Sequence, residues 1–470
     1  MKIIIAGIGK VGALVAHYLS KEDHTVTIID ENPDVIKEIT DNESIAGIVG
    51  KSTSIDCLID ADIKNTDMFI ALTTNDENNI LSCILANIYG VNNNIARISH
   101  SNYLEENWQE MFRLKQIPIN SIISSWFSII NIIKQKIKYS YISISDIIDF
   151  ENEDAKIFSL IVNEECIIFG LNLLDVEQIA KNNNIIFKIV GIFKNDNFRI
   201  PNKKDIIEKG DKIFIATTSN FIDESYNIFY NTKNIDTQLI ESQNPNIILY
   251  GDHDFINKIA IALSDSYNKI KVIKNSKDKE TNINDAITLE KYKIQFIQDD
   301  ITKNEYRKNY LKSQDDIIII FNKKDEDTIL NTLILKNQRI GNIFCCLNNI
   351  FYEKFLISNN VNNIIVPDYF IMSTILTNLR RGVVYNVYSL YNIAEIIEIE
   401  VSENSNIIGK RVEDITIDQN MIIAHLIDDN DNIINFNTNT FIKNGYKIIY
   451  IVMRDYIKEI ESIFTQNSNY

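Results

Sequence analysis

Six residues near the amino terminus have the types and spacing to hold a phosphate. Gly7, Ile8, Gly9, Lys10, Val11 and Gly12 follow the apolar run at 3–6 and open a stretch that reads as a helix. In that setting G-x-G-x-x-G is a dinucleotide fingerprint. Gly7 permits the tight turn, Gly9 lets backbone N–H groups approach a pyrophosphate, and Gly12 lets the helix pack close on the sheet. The helix N-terminus adds unpaired N–H groups and the positive end of its dipole. Asp30 closes the second apolar run, where a carboxylate accepts hydrogen bonds from the ribose hydroxyls of adenosine. It would repel a 2′-phosphate, which favours NAD over NADP. The motif alone also fits a Gly-rich turn without ligand, but strand, helix and acid together favour a nucleotide.

Further polar positions fall at the carboxyl ends of later strands, where open α/β sheets hold their ligands. Gly50-Lys51-Ser52 ends the third strand. Thr73-Thr74-Asn75-Asp76-Glu77 ends the fourth and serves equally as a ligand contact or as the cap of the next helix. Arg97 lies at the end of the fifth, in IARIS. An Arg in an apolar strand calls for an anion, and a phosphate or ribose is favoured over a structural ion pair. The candidate contacts are therefore the six loop residues with Asp30, Lys51, Ser52, Thr73, Thr74 and Arg97. No catalytic set accompanies them. A dehydrogenase needs an acid/base near the nicotinamide, and no His occurs between His100 and His253. The expectation is a nucleotide sensor, not an enzyme.

What must position these residues is an alternation of β-branched runs (2–6, 25–30, 45–49, 68–72, 94–98) with helix-like stretches (11–21, 33–41, 54–61, 78–89). That is the pattern of a doubly wound parallel sheet, a Rossmann-like α/β lobe. Beyond about residue 140 come short strands with turn punctuation, AKIFSLIV, IIFKIVGIF and KGDKIFIAT, which fit a small α+β lobe. Near residue 245 the first pattern restarts. IIIAGIG pairs with IILYGDH, DMFIALTTNDENNIL with DIIIIFNKKDEDTIL, GLNLLDV with GKRVEDI, and KGDKIFIA with NGYKIIYI. Four anchors in one order, with slowly drifting spacing, mean two tandem copies of a two-part unit. The expected domains are 1–125 and 245–370 (Rossmann-like) and 140–230 and 385–465 (small α+β). The helix-like stretches 121–138 and 370–381, which follow each Rossmann-like lobe, are candidates for swapping or pairing between units. In the second copy the fingerprint reads Gly251-Asp252-His253-Asp254-Phe255-Ile256, Lys274 stands in the place of Asp30, Asn322 in that of Thr73 and Cys346 in that of Arg97. This copy is expected to bind no nucleotide, with His253 a turn residue.

Composition narrows the partners. The chain has 470 residues, 45% of them hydrophobic and 24% charged, with only 14 Gly and 5 Pro, so it is globular and of a length for several domains. A net charge of −17 disfavours nucleic acid and anionic lipid. Five Cys without a CxxC pair and five isolated His argue against a disulfide framework and a metal centre. No run approaches a membrane span, and the N-terminus enters a strand directly, so a cytoplasmic protein is expected.

MKIIIAGIGKVG, VTIID, IARIS, IPINSIIS, KGDKIFIA and LTNLRRGVVYNVYSL together resemble the TrkA family, the regulatory subunits of bacterial Trk/Ktr potassium transporters. The resemblance covers essentially the whole chain. It implies two tandem RCK units, each a Rossmann-like N-lobe and a TrkA-C lobe. It implies binding of NAD⁺/NADH, and of ATP/ADP, without catalysis; Gly7, Gly9, Gly12, Asp30, Ser52, Thr73, Thr74 and Arg97 match the family's nucleotide-contact positions. It also implies a homo-oligomer docked on the cytoplasmic face of an integral-membrane K⁺-translocating subunit of the TrkH/TrkG type. The alternatives are an NAD-dependent oxidoreductase and an RCK subunit of another K⁺ channel or efflux system.

Overall fold

The computed structural model describes residues 1–470 except 23, 43–44, 100–102, 104–105, 115, 141, 143, 196, 231–244, 276–278, 304–315, 339–341, 381–382, 417–418 and 465–470. Contacts divide the chain into two compact units.

The first unit comprises Met1–Ser128 and Pro367–Asn378. Its elements are β1 (Lys2–Ala6), α1 (Lys10–Ser20), β2 (Thr25–Asp30), α2 (Pro33–Asn42), β3 (Ala46–Val49), α3 (Ile55–Asp60), β4 (Met68–Ala71), α4 (Asp76–Ile88), β5 (Asn93–Arg97), α5 (Glu106–Arg113) and β6 (Ser121–Ile123). All strands pair in parallel, in the order β3-β2-β1-β4-β5-β6. A parallel sheet is covered by helices on both faces, so its central strands are continuous apolar runs. Ile3, Ile4, Ile5 and Ala6 of β1 and Met68, Phe69, Ile70 and Ala71 of β4 are accordingly buried. One core gathers Ile4, Phe69 and Ala96 from the sheet with Leu58, Ala86 and Phe112 from the helices. Chain order reverses between β1 and β4. That reversal is the topological switch point, where open α/β sheets hold their ligands, and the fingerprint follows β1 directly.

Residues 121–123 correct the expectation of a helix over 121–138. They form β6, with Ser121 opposite Ile95 and Ile123 opposite Arg97; the helix α6 begins at Ser125 and runs to Lys138. Three residues, Ser-Ile-Ile, are too few to fix a period, and the unsatisfied edge of β5 decides for the strand.

The second unit comprises Ile129–Val366 and Leu379–Tyr470. It contains the rest of α6, then β7 (Asp146–Asp149), β8 (Ala155–Ile161), α7 (Leu173–Asn182), β9 (Phe187–Lys194), β10 (Asn197–Arg199), β11 (Lys212–Thr218) and α8 (Ile222–Phe229). These strands make an antiparallel sheet, β10-β9-β11-β8-β7. The second Rossmann-like lobe follows as β12 (Ile247–Tyr250), α9 (Ile256–Ser264), β13 (Ile270–Lys274), α10 (Lys279–Glu290), β14 (Gln295–Gln298), β15 (Ile317–Ile320), α11 (Asp325–Asn337), β16 (Asn342–Cys346), α12 (Glu353–Ser358) and β17 (Ile364–Ile365). Its parallel order, β14-β13-β12-β15-β16-β17, repeats that of the first lobe. After α13 (Pro367–Leu379) come β18 (Val383–Leu390), β19 (Ala394–Glu400), α14 (Val412–Ile415), β20 (Met421–Ile427), β21 (Lys447–Met453) and α15 (Ile457–Phe464), with the antiparallel order β18-β19-β21-β20.

The two antiparallel sheets share one apolar core. Phe150, Ile157, Val190, Phe198 and Phe214 from the first pack with Leu390, Ile396, Ile427, Ile449 and Ile451 from the second. At its margin Arg380 makes a two-pronged pair with the fully buried Glu395. The helices that follow the two Rossmann-like lobes are exchanged: α6 belongs to the second unit from Ile129 on, and α13 to the first unit up to Asn378. Within the second unit Lys136 of α6 donates to the Ser145 carbonyl and pairs with Asp146. Within the first, Ser121 Oγ donates to Asn378 Oδ1 of α13 at 2.8 Å.

Candidate nucleotide site

The loop from β1 to α1 is built by two glycines and left open by a third. Gly7 has φ +91°, and a Cβ there would lie 2.5 Å from the Thr73 amide nitrogen, so no other residue fits. A Cβ on Gly12 would lie 2.1 Å from the Gly7 carbonyl oxygen, which is the close helix-to-strand packing that the third glycine permits. Gly9 differs. Its φ of −71° is ordinary, and a Cβ there would meet nothing within 4 Å. The protein's own packing does not require this glycine. It is also the N-cap of α1, no side chain caps the helix, and the first turn carries no acid. A bare, electropositive helix end faces a space kept free of side chains.

Asp30 braces the loop. Its Oδ2 accepts the Ile8 N–H at 2.6 Å and its Oδ1 the Asn32 N–H at 2.9 Å. An ionised carboxylate has about four acceptor positions, so two remain for ribose hydroxyls. Lys10, Lys51 and Thr74 are exposed, while Ile8 and Val11 are buried. Ser52 is buried and accepts from Ser82 Oγ at 2.9 Å. Thr73 is tied to the start of α4: its hydroxyl bonds Asn79 Oδ1 at 2.6 Å and its amide donates to the same oxygen at 3.0 Å. The cap of α4 is Asn75, which accepts from the Asn78 amide. Asn79 was not singled out from the sequence and organises this corner, since its Nδ2 also donates to the carbonyls of Thr73 and Arg97. The available signal was the pairing of DENNIL with DEDTIL, which sets Asn79 against the equally polar Thr328; both are fully buried, and the Thr328 hydroxyl accepts from the Asn322 amide.

Arg97 ends β5 with its Nε buried and without a hydrogen-bond partner. Burial draws its pKa down from the ordinary value; Asp368 on α13, then Asp76 on α4, oppose this by favouring the charge. Asp76 already accepts the Ser99 amide on both oxygens, at 2.9 and 3.0 Å.

The second lobe keeps the scaffold and fills the space. Gly251 has φ +140°, with a Cβ position only 2.1 Å from the Phe321 carbonyl oxygen, so the turn still demands glycine. In the place of Gly9 stands His253. Its ring stacks on Phe321 at 3.6 Å between centroids and bonds Asn348 Oδ1 at 3.2 Å. Burial pushes its pKa down to about 4, so the ring sits there neutral. Lys274 pairs with Asp285 at 2.7 Å. Around these substitutions the supporting bonds recur. Tyr103 donates to Glu77 and Tyr352 to Glu326, and Asp325 accepts the Asn348 amide as Asp76 accepts that of Ser99.

The TrkA-N domain family matches residues 3–125, the whole of the first sheet. Residues 3–125 are a TrkA-N domain. The likeness to TrkA proteins continues well past it. The Trk system potassium uptake protein TrkA of Azorhizobium caulinodans is 25% identical over 99% of this chain and 98% of its own length. A TrkA homolog from Methanothermobacter thermautotrophicus is 28% identical over 48% of this chain and 97% of its own. Among solved structures, the GsuK RCK domain superposes with a TM-score of 0.55 at 14% identity, covering 98% of this chain and 95% of that one, which shows a shared fold. The TrkA resemblance and the tandem Rossmann-like lobes with antiparallel lobes after them, expected from the sequence, are thus borne out. Among the described residues no helix is long and apolar enough to cross a membrane, and no group of three His, Cys, Asp or Glu is placed to hold a metal.

Proposed function

We propose that this TrkA-like chain is a regulatory subunit of a Trk-type potassium-uptake transporter and that it binds one nucleotide, in the first lobe. The ligand class is NAD(H), with ATP and ADP as further occupants. The observation that carries the reading is the contrast between Gly9 and His253: where packing would tolerate a side chain the first lobe has none, and the second lobe puts an imidazole there. Asp30, placed beside the loop with acceptor capacity to spare, fits a ribose. A solved GsuK channel of the same fold is described as bound to NAD, and the full-length relatives are named as potassium uptake proteins. The chain acts by binding, without catalysis. It works as a homo-oligomer in the cytoplasm, held at the membrane by an integral-membrane K⁺-translocating partner of the TrkH/TrkG type. Ligand exchange shifts the balance between two assembly states through its differential affinity for them.

Isothermal titration of the full chain with NADH, NAD⁺, ATP and ADP tests the site, and K⁺ uptake in cells lacking the endogenous subunit tests the role. One ligand per chain, with uptake restored and NADH not consumed, is expected. Two ligands per chain, or turnover of NADH, overturns it.

A further inference from the structure

Away from the fingerprint, the second unit buries two lysines against one carboxylate. Lys136, near the end of α6, has a side chain only 7% exposed, and that of Lys212, which opens β11, is 10% exposed. Both turn to Asp146, the first residue of β7. Its Oδ2 accepts Lys212 Nζ at 2.6 Å and the Ser159 hydroxyl at 2.9 Å, while its Oδ1 lies 3.9 Å from Lys136 Nζ, beyond a hydrogen bond. Lys136 donates instead to the Ser145 carbonyl. An ammonium group carries three donors, so Lys136 has donors to spare. A further donor stands beside it: the Ser145 hydroxyl is buried and finds no hydrogen-bond partner among the described residues. Lys212 Nζ lies over the rings of Tyr391 and Phe214, 5.4 and 5.9 Å from their centres.

Within ion-pair distance, charge does not balance at this junction. A buried ammonium is costly without a partner of its own, and nearby cations of the antiparallel lobes have one. Lys156 on β8 pairs with Asp149 at 2.9 Å, and Arg380 after α13 pairs with Glu395. Lys447, which holds in NGYKIIYI the place of Lys212 in KGDKIFIA, pairs with Asp431 at 2.9 Å. Lys136 and Lys212 share theirs. Burial draws the Lys136 pKa down from its ordinary value; Asp146 opposes the fall and Lys212 deepens it. Glu353, which opens α12, favours both charges from further off. The junction is open to solvent at Asp146, whose side chain is 40% exposed.

We propose that Lys136, Lys212 and the Ser145 hydroxyl form a binding site for a small monovalent anion of the chloride class. A halide takes hydrogen bonds and gives none, which suits a set made of donors. One negative charge is also what two ammonium groups over one carboxylate lack. A divalent oxyanion brings a charge too many and crowds Asp146. Lys136 is carried by the exchanged helix, whereas Lys212 opens a strand of the first antiparallel sheet. An anion held between them ties the end of α6 to that sheet, so the hold on the helix depends on the anion present and not on ionic strength alone.

Thermal unfolding of the full chain in potassium chloride and in potassium gluconate, at equal ionic strength so that screening is the same, tests the site. A ligand that binds only the folded chain raises the midpoint with its concentration. Chloride is expected to raise the midpoint above that in gluconate, and Lys136→Met to abolish the increment. Asp146→Asn removes the competing carboxylate and should lower the half-saturating chloride concentration about tenfold or more. No increment over gluconate, the same increment in Lys136→Met, or an increment from sulfate but not from chloride overturns the proposal. Should Lys136→Met not fold, crystals of the native chain soaked in bromide decide. A bromide between the two ammonium groups is expected, and bromide bound only elsewhere, or nowhere, overturns the site. Either result leaves the nucleotide reading of the first lobe untouched.

Discussion

Three glycines in one hexapeptide have three different jobs, and the differences can be measured. A methyl on Gly12 collides with the Gly7 carbonyl oxygen, whereas one on Gly9 enters open space. Gly12→Ala should therefore lower stability by roughly 1–3 kcal/mol, the usual cost of overpacking, while Gly9→Ala leaves the unfolding midpoint within a degree or two. Gly9→Asp keeps the fold and puts a carboxylate where phosphate would lie, so titration should detect no nucleotide. Unchanged affinity in this variant would remove the ligand from the loop. Asp30 is the second residue to test. Besides its acceptor capacity toward ribose it holds the Ile8 amide, so Asp30→Ala removes ribose acceptors and loosens the loop together. Loss of two charge-assisted bonds costs on the order of 3 kcal/mol, about a hundredfold in NADH affinity. NADPH, with a 2′-phosphate against this carboxylate, should bind the native chain far more weakly than NADH; equal affinities would overturn the assignment.

At the scale of elements, the fold was legible wherever burial is two-sided. The runs 2–6, 25–30 and 68–72 announce themselves because a parallel strand is apolar along its whole length, and the helices between them lie within two residues of the expected positions. What was not legible depends on remote partners. Ser121–Ile123 is a strand because β5 offers an open edge. Thr73 and Ser52 are ligand-contact types by position, yet their hydroxyls engage Asn79 and Ser82, an arrangement visible only once α4 is packed. The histidine at the second fingerprint loop was legible as a departure from the motif, but its stacking on Phe321 was not. That packing has a pH signature. Burial pushes His253, and likewise the buried His425 on β20, whose ring lies 3.0 Å from the Lys156 carbonyl, each down to about 4 in the fold, against an ordinary value near 6.5. The unfolded chain takes up the protons first as pH falls. The stability these rings contribute is therefore complete above about pH 6.5, lost on descent toward pH 4 and flat below it, by up to roughly 3 kcal/mol each. Denaturant titrations between pH 7 and 4 should show the decline, and His253→Gln with His425→Gln should flatten it. A slope that survives both substitutions would assign it to other groups.

For the whole molecule, the two copies share an apolar core between their antiparallel sheets. The sheet β7 to β11 turns Phe150, Ile157, Val190, Phe198 and Phe214 toward apolar residues of the sheet β18 to β21. Helix α6 is a member of the unit that holds the second lobe, and α13 of the unit that holds the first. Covering a face of this kind contributes about 25 cal/mol per Å² of apolar surface, and an uncovered face seeks a substitute. A fragment of residues 1–230 retains the fingerprint and Asp30, but it loses α13 and the cover of its antiparallel sheet. The half-length relative from Methanothermobacter shows that a chain of this extent exists as a protein, and a second copy of the same fragment offers the same apolar face. The fragment should therefore self-associate, eluting as a dimer or larger, and should bind a hydrophobic dye when diluted. Co-expression with residues 231–470 should restore a complex that behaves as the intact chain does. A fragment that is monomeric at micromolar concentration, dye-silent and as resistant to denaturant as the full chain would show that the shared core and the exchanged helices contribute little. The second lobe's retention with its fingerprint space filled by His253 would then need a reason other than packing.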